Sequence, residues 1–156
     1  MLKKVLVAVD TSKMGDEVLE YGFNIAFQLG AEVTFIHVLP DPSQWMAYEH
    51  RTLSTSETMM DEIRESAQKK LNFAIRKKLE RNPEMKKMSY ATVVQQGNAG
   101  ERIISYAKEH GFPLIVIGHR GHSAIERLFV GSTVTNVVRY AGCSVLVYRP
   151  NEEQGR

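Results

Sequence analysis

The chain has 156 residues, 43% of them hydrophobic and 24% charged, with a formal net charge of +2. This length supports one domain with a substantial core and is short for two, and so small a charge gives no strong field toward nucleic acid or a membrane surface. A single cysteine, Cys143, excludes an internal disulfide and a cysteine-rich zinc site and fits a reducing compartment.

The opening Met1-Leu-Lys-Lys-Val-Leu-Val-Ala-Val-Asp10 has an apolar run of about five residues, below the roughly seven of a signal core. No stretch reaches bilayer-spanning length, and a cytoplasmic protein is expected. Val5 to Val9 is a continuous β-branched run, the pattern of a strand buried on both faces. Met14, Val18, Gly22, Ile25 and Leu29 then recur at helical spacing, and Gly30 supplies a left-handed stop. Glu32 to Val38 reads as a second strand. A long helix follows over Glu57 to Arg81, with Met60, Ile63, Ala67, Leu71, Ile75 and Leu79 on one face and Ser54-x-x-Glu57 as a capping box.

A third strand starts near Ser89 and runs through Val94. Asn98-x-x-Glu101 caps a helix carrying Ile103, Ile104 and Ala107, which Gly111 ends. Pro113 to Gly118 is the fourth strand. Ser132 to Ala141 carries Val134, Val137 and Val138 at helical spacing, although it is β-branched enough to compete with a strand reading. Cys143 to Arg149 is the fifth strand, stopped by Pro150. The alternation of both-face-buried strands with helices predicts an α/β domain over residues 1–150. Its sheet is single, open and mainly parallel, covered by helices, and residues 151–156 form a short polar tail. The irregular segment from Pro40 to Thr55 is long for a connection, which marks it as a candidate lid.

Open α/β sheets bind ligands beyond the carboxyl ends of their strands, where strand order reverses. Two such ends stand out: Asp10-Thr11-Ser12 after the first strand, and Gly118-His-Arg-Gly121 after the fourth, followed by Gly131-Ser132-Thr133 at a helix start. Glycine admits close backbone approach, a helix N-terminus offers free N–H groups and partial positive charge, and Arg120 adds charge-assisted bonds. Each feature alone reads as readily as a turn glycine or an ordinary N-cap, Asp10 and Ser132 included; jointly they fall on the one edge where the sheet binds its ligand.

The spacing Gly118-x2-Gly121-x9-Gly131-Ser132 resembles the glycine signature of the ATP-binding universal stress protein family. The likeness extends to the Val5–Asp10 opening, to Ile36-His-Val38 and to the Val134–Val147 segment. The resemblance implies a five-stranded parallel sheet in the order 3-2-1-4-5, a Rossmann-like arrangement with helices on both faces, and a homodimer in a stress-response role. Carried over by position, it implies that Asp10 accepts a bond from the adenine side, with Ala8, Val9 and Val38 around the base. Ile117 and Gly118 border ribose and phosphates, and Gly121, Gly131, Ser132 and Thr133 cradle the phosphates. His119, Arg120 and His122 make this loop bulkier and more cationic than the family's small-residue versions, which leaves the phosphate count open among ATP, ADP and AMP, with Mg²⁺ or Mn²⁺ as an accompanying but unplaced ion.

Other residues have plainer readings. His119-x-x-His122 lacks a third ligand, so phosphate contact or loop exposure is favoured over metal binding. His37 within a strand is read as packed and hydrogen-bonded, Cys143 as inert core, and the Arg76-to-Lys87 charges as a solvated face. Trp45, Met46 and Tyr48 are open between covering the base, meeting a partner and packing locally. The expected function is a nucleotide-binding switch that biases an unknown downstream protein, with neither nucleic acid nor membrane as partner. The alternatives are a slow ATP-hydrolysing or nucleotidyl-transferring enzyme, for which Glu126 is the one carboxylate of the phosphate loop, and a nucleotide-free dimeric module. The last strand, an edge in the implied order with apolar side chains on both faces, is the expected dimer seam.

Overall fold

The computed structural model describes residues 2–10, 13–41, 57–119 and 131–150. Ser54, the segment with Trp45, Met46 and Tyr48, the loop with Arg120, Gly121, His122 and Glu126, and the polar tail lie outside the described residues. Chain order is β1 (Lys4–Ala8), α1 (Lys13–Leu29), β2 (Glu32–Leu39), α2 (Glu57–Arg81), a 3₁₀ turn (Pro83–Lys87), β3 (Tyr90–Gln96), α3 (Ala99–Glu109), β4 (Leu114–Gly118), α4 (Ser132–Tyr140) and β5 (Ser144–Tyr148). All four strand pairings are parallel, in the order β3-β2-β1-β4-β5. The expected sheet and order are therefore those observed.

The apolar runs sit where both faces are covered. Val5, Leu6, Val7, Ile115 and Val116 have no exposed surface, and full burial of each such side chain stabilises the fold by about 1.5–3 kcal/mol. Alternation along the strands splits the core. Val5, Val7, Val33, Phe35 and Val116 pack with Val18, Phe23, Leu71 and Ile75 of α1 and α2. Leu6, Ile36, Ile115 and Ile117 pack with Ile103, Ala107, Val134 and Val137 of α3 and α4.

Gly30 and Gly111 carry φ values of +60° and +63°, so both chain reversals use the conformation that glycine adopts without steric cost. Gly97, at φ +131° after β3, is a further such position that the sequence reading passed over. Asn98 caps α3 as expected, its side chain accepting from the Glu101 N–H at 3.1 Å. Each strand differs from expectation by one or two residues at one or both ends, and the last helix differs at both caps. The last helix takes Gly131, not Ser132, as its N-cap, and it ends through an extended Ala141 at φ −63°. The 3₁₀ turn had no expected counterpart; it begins at a proline and buries Met85 against the α1–α2 face.

The helix α2 docks in two ways. Leu71 and Ile75 enter the core. Along β3 the attachment is polar: Gln68 donates to the Thr92 hydroxyl at 2.5 Å, Thr92 donates to Asn72 at 3.0 Å, and Arg64 donates to Gln96 at 3.2 Å. Lys78 ties α2 to α1 through Glu20 at 2.7 Å and Asp16 at 3.6 Å. Burial alone would lower the pKa of its ammonium group, but the Glu20 hydrogen bond and the Asp16 charge outweigh it and raise the value.

Candidate functional site

The strand order reverses between β1 and β4, since β1 is followed by β2 on one side while β4 and β5 continue on the other. A cleft of about 780 Å³ opens at their carboxyl ends, within the roughly 300–1,000 Å³ typical of small-molecule sites. Ala8, Val9 and Asp10 reach it from β1, Val38 from β2, Ile117 and Gly118 from β4, and Gly131, Ser132 and Thr133 from the start of α4. The structure thus brings these sequence-predicted residues to one cleft. Arg120 and Gly121 lie outside the described residues.

The groups lining the cleft differ chemically. Three helix N-termini approach it, those of α1, α3 and α4. The first turn of α3 has an N–H satisfied internally by Asn98. In α4 the N-cap is Gly131, which has no side chain to cap the first turn, while its carbonyl accepts both the N–H and the hydroxyl of Thr135 at 3.0 Å. The leading N–H groups of α4 have no intrahelical acceptor by helix geometry, and they carry the positive end of the helix dipole. The hydroxyls of Ser132 and Thr133 stand beside them. The Asp10 carboxylate follows β1 into the same cleft. Ala8, Ile36, Val38, Ile103, Ile117 and Val134 give it apolar wall. Such a site suits a ligand with an anionic group and a flat, weakly polar body carrying hydrogen-bond donors.

Backbone bonds hold this frame. The His119 N–H donates to the Tyr148 carbonyl at 3.0 Å, and the His119 carbonyl accepts from Gly131 N–H at 3.0 Å. One residue therefore links the end of β4 to β5 and to the start of α4. His119 is buried, at 6% exposure, which corrects the loop-exposure alternative of the two expected for it; its backbone is tied to the sheet edge and to the start of α4. Among the described residues no group of three His, Cys, Asp or Glu side chains is placed to hold a metal ion. His37 is half-buried, and its Nδ1 donates to the Val9 carbonyl at 2.9 Å, as the packed, hydrogen-bonded reading expects. Burial raises the pKa of the Cys143 thiol, in keeping with an inert cysteine.

Several lining residues had not been singled out. Gly15 at the start of α1 sits so close to Asp10 that a Cβ there would meet its carbonyl and carboxylate oxygens. Glu62, Ser66 and Lys70 of α2 form a polar stripe four residues apart along the cleft wall. Their spacing is visible in the sequence, but exposed polar residues on a long helix carry no mark of a site. A second recess of about 290 Å³ adjoins the cleft, lined by Asp10, His37 and Lys70 among others.

These features define a doubly wound parallel α/β protein with a ligand cleft at its topological switch point. The sequence model of the Universal stress protein family matches residues 1–149, and the chain belongs to that family. The Bacillus subtilis universal stress protein YxiE is 30% identical over 149 residues, covering 96% of this chain and all of that one. The solved universal stress protein UspA of Lactobacillus plantarum superposes with a TM-score of 0.76 at 26% identity, over 95% of this chain and 98% of that one. An Archaeoglobus fulgidus universal stress protein, solved in complex with dAMP, shares the fold at a TM-score of 0.63 and 22% identity, over 96% of this chain and all of that one.

Proposed function

We propose that the cleft binds an adenine nucleotide, with ATP as the preferred ligand, and that occupancy switches a homodimeric stress-response protein acting on a downstream protein partner. The observation that carries this reading is the presence, in one cleft, of an α4 start whose Gly131 N-cap has no side chain and of the Asp10 strand end. In this reading the N–H groups and hydroxyls of Gly131, Ser132 and Thr133 hold the phosphates. Ile117 and Gly118 border the ribose. Ala8, Val9 and Val38 enclose the base, and Asp10 accepts from its exocyclic amine. By the family resemblance Arg120 and Gly121, which lie outside the described residues, are assigned to the phosphates as well. A Mg²⁺ or Mn²⁺ ion would ride on the phosphates, since the described residues offer no cage of their own. The dAMP bound to the Archaeoglobus fulgidus relative supports the adenine assignment.

Binding is the proposed role rather than rapid turnover. Hydrolysis requires a group positioned to orient the attacking water. Among the described lining residues the carboxylates are Asp10 and Glu62, which belong to β1 and α2 and not to the helix start that holds the phosphates. The proposed dimer forms through β5, an edge strand of the sheet, where Val147 leaves apolar surface exposed. No described helix is long and apolar enough to cross a membrane.

The test is to denature the purified protein, identify any released nucleotide by chromatography and mass, and titrate stripped protein with ATP, ADP and AMP. The expected result is adenine nucleotide release and saturable binding. Absence of binding at millimolar nucleotide would refute the reading.

A further inference from the structure

Peptide groups alternate sides along a strand, and the bonds around β2 give its phase. Val9 N–H donates to the Ile36 carbonyl at 2.9 Å, so Ile36 faces β1. Gly97 N–H donates to the Leu39 carbonyl at 2.8 Å, so Leu39 faces β3. Val38 therefore turns its peptide groups toward the β1 side, where β1 has ended at Ala8 and the cleft begins. In a regular parallel ladder the next rung would run from the Val38 N–H to the Val9 carbonyl. That carbonyl receives the ring of His37.

A carbonyl oxygen can only accept, so Nδ1 of His37 carries the proton and, in the neutral ring, Nε2 carries the lone pair. We propose that His37 is a positioning residue for base recognition. By donating to the Val9 carbonyl it takes one lone pair of that rung's acceptor and fixes the peptide that carries Asp10, beside a Val38 N–H that is offered to the ligand. This rests on the adenine reading above and extends it. A backbone N–H beside a carboxylate matches the edge of adenine, whose N1 accepts and whose exocyclic amine donates. The same pair opposes guanine, whose N1–H donates and whose O6 accepts. A mismatched base leaves buried polar groups unpaired, which is the strongest source of discrimination available to such a site.

The experiment measures ATP and GTP affinities of wild type, His37→Phe and His37→Asn by calorimetry, with thermal melts alongside. The ring-nitrogen signals of His37 in the unliganded protein are recorded by NMR. The phenyl ring keeps the volume and loses the donor, while the asparagine amide N–H falls near the Nδ1 position. His37→Phe should lose about tenfold in ATP affinity, the equivalent of about 1.4 kcal/mol, and narrow the ATP-over-GTP ratio by a similar factor. His37→Asn should keep most of both, and wild type should show a protonated Nδ1. A His37→Phe protein that melts lower but keeps the wild-type ratio has lost only packing, which overturns the proposal, as does a bare Nδ1 in the neutral ring. If His37→Phe does not fold, His37→Gln, whose amide falls at the Nε2 position, replaces it with the same expectation. Wild type that binds no adenine nucleotide overturns the functional reading and this one together, whereas binding with unaltered selectivity in the variant overturns this one alone.

Discussion

Gly15 couples the fold to the site, and Gly15→Ala separates packing from binding. A Cβ built on Gly15 would lie 2.5 Å from Asp10 Oδ1 and 2.8 Å from the Asp10 carbonyl carbon. Part of that collision is with backbone, so rotating one side chain does not relieve it. Overpacking of this kind typically costs about 1–3 kcal/mol, and replacing a helical glycine by alanine returns about 1 kcal/mol. The net expectation is a loss of about 1 kcal/mol, which lowers Tm by about 2–4 °C for a domain of this size. The larger consequence is at the site, because relief of the clash displaces Asp10. ATP affinity should fall by at least about tenfold, the equivalent of roughly 1.4 kcal/mol.

The control is Gly22→Ala, seven residues further along the same helix, whose Cβ would lie 2.6 Å from both Val7 methyls deep in the core. It should lower Tm comparably and leave ATP affinity unchanged. Differential scanning calorimetry and isothermal titration on the pair decide the matter. A Gly15→Ala protein with wild-type Tm and wild-type affinity would refute the argued closeness of α1 to Asp10. Equal affinity losses in both variants would show that the effect is general loosening.

Four further outcomes are expected. Gly131→Val should abolish ATP binding in calorimetric titration while its circular dichroism stays that of wild type, because the new side chain occupies the phosphate cradle. ATP should be preferred over GTP, and Asp10→Ala should narrow that preference in competition binding. Steady-state phosphate release should stay well below about one turnover per second, the usual lower range for enzymes. Sedimentation should show a dimer for wild type and a shift toward monomer for Val147→Pro, which removes a donor from the edge ladder.

The parts of the fold that were legible in the sequence are those governed by burial and by helix stops. Val5 to Val9 and Pro113 to Gly118 read as strands because both faces are covered and every position is apolar. The rough bounds read for α2, Glu57 to Arg81, match those observed, since its apolar stripe runs the length of the helix. The helical reading of the β-branched Ser132–Tyr140 segment also held, because Val134 and Val137 fall one turn apart on the buried face. What the sequence left dark depended on tertiary contacts. His119 is buried where its backbone bonds to Tyr148 and Gly131, residues distant from it in sequence. The packing of Gly15 on Asp10 looks, in sequence, like any glycine in a helix. The polar stripe of Glu62, Ser66 and Lys70 resembles a solvated face until α2 is laid along the cleft. Position in the sheet, rather than residue type, makes each of these informative.

The strand order also has a consequence for assembly in time. The central strand β1 pairs with β2 on one side, Leu6 opposite Thr34, and with β4 on the other, Leu6 opposite Ile115, more than a hundred residues later. During synthesis β1 and β2 can meet early, but the second edge of β1 stays open until the chain through β4 has emerged, at translation rates of about 5–20 residues per second. An apolar edge exposed for that interval is the place where a nascent copy is most vulnerable to pairing with another chain. Closing so long a loop also places the protein among slower-folding topologies. The cleft forms at that same closure, between the ends of β1 and β4, so the site is completed only when the sheet is.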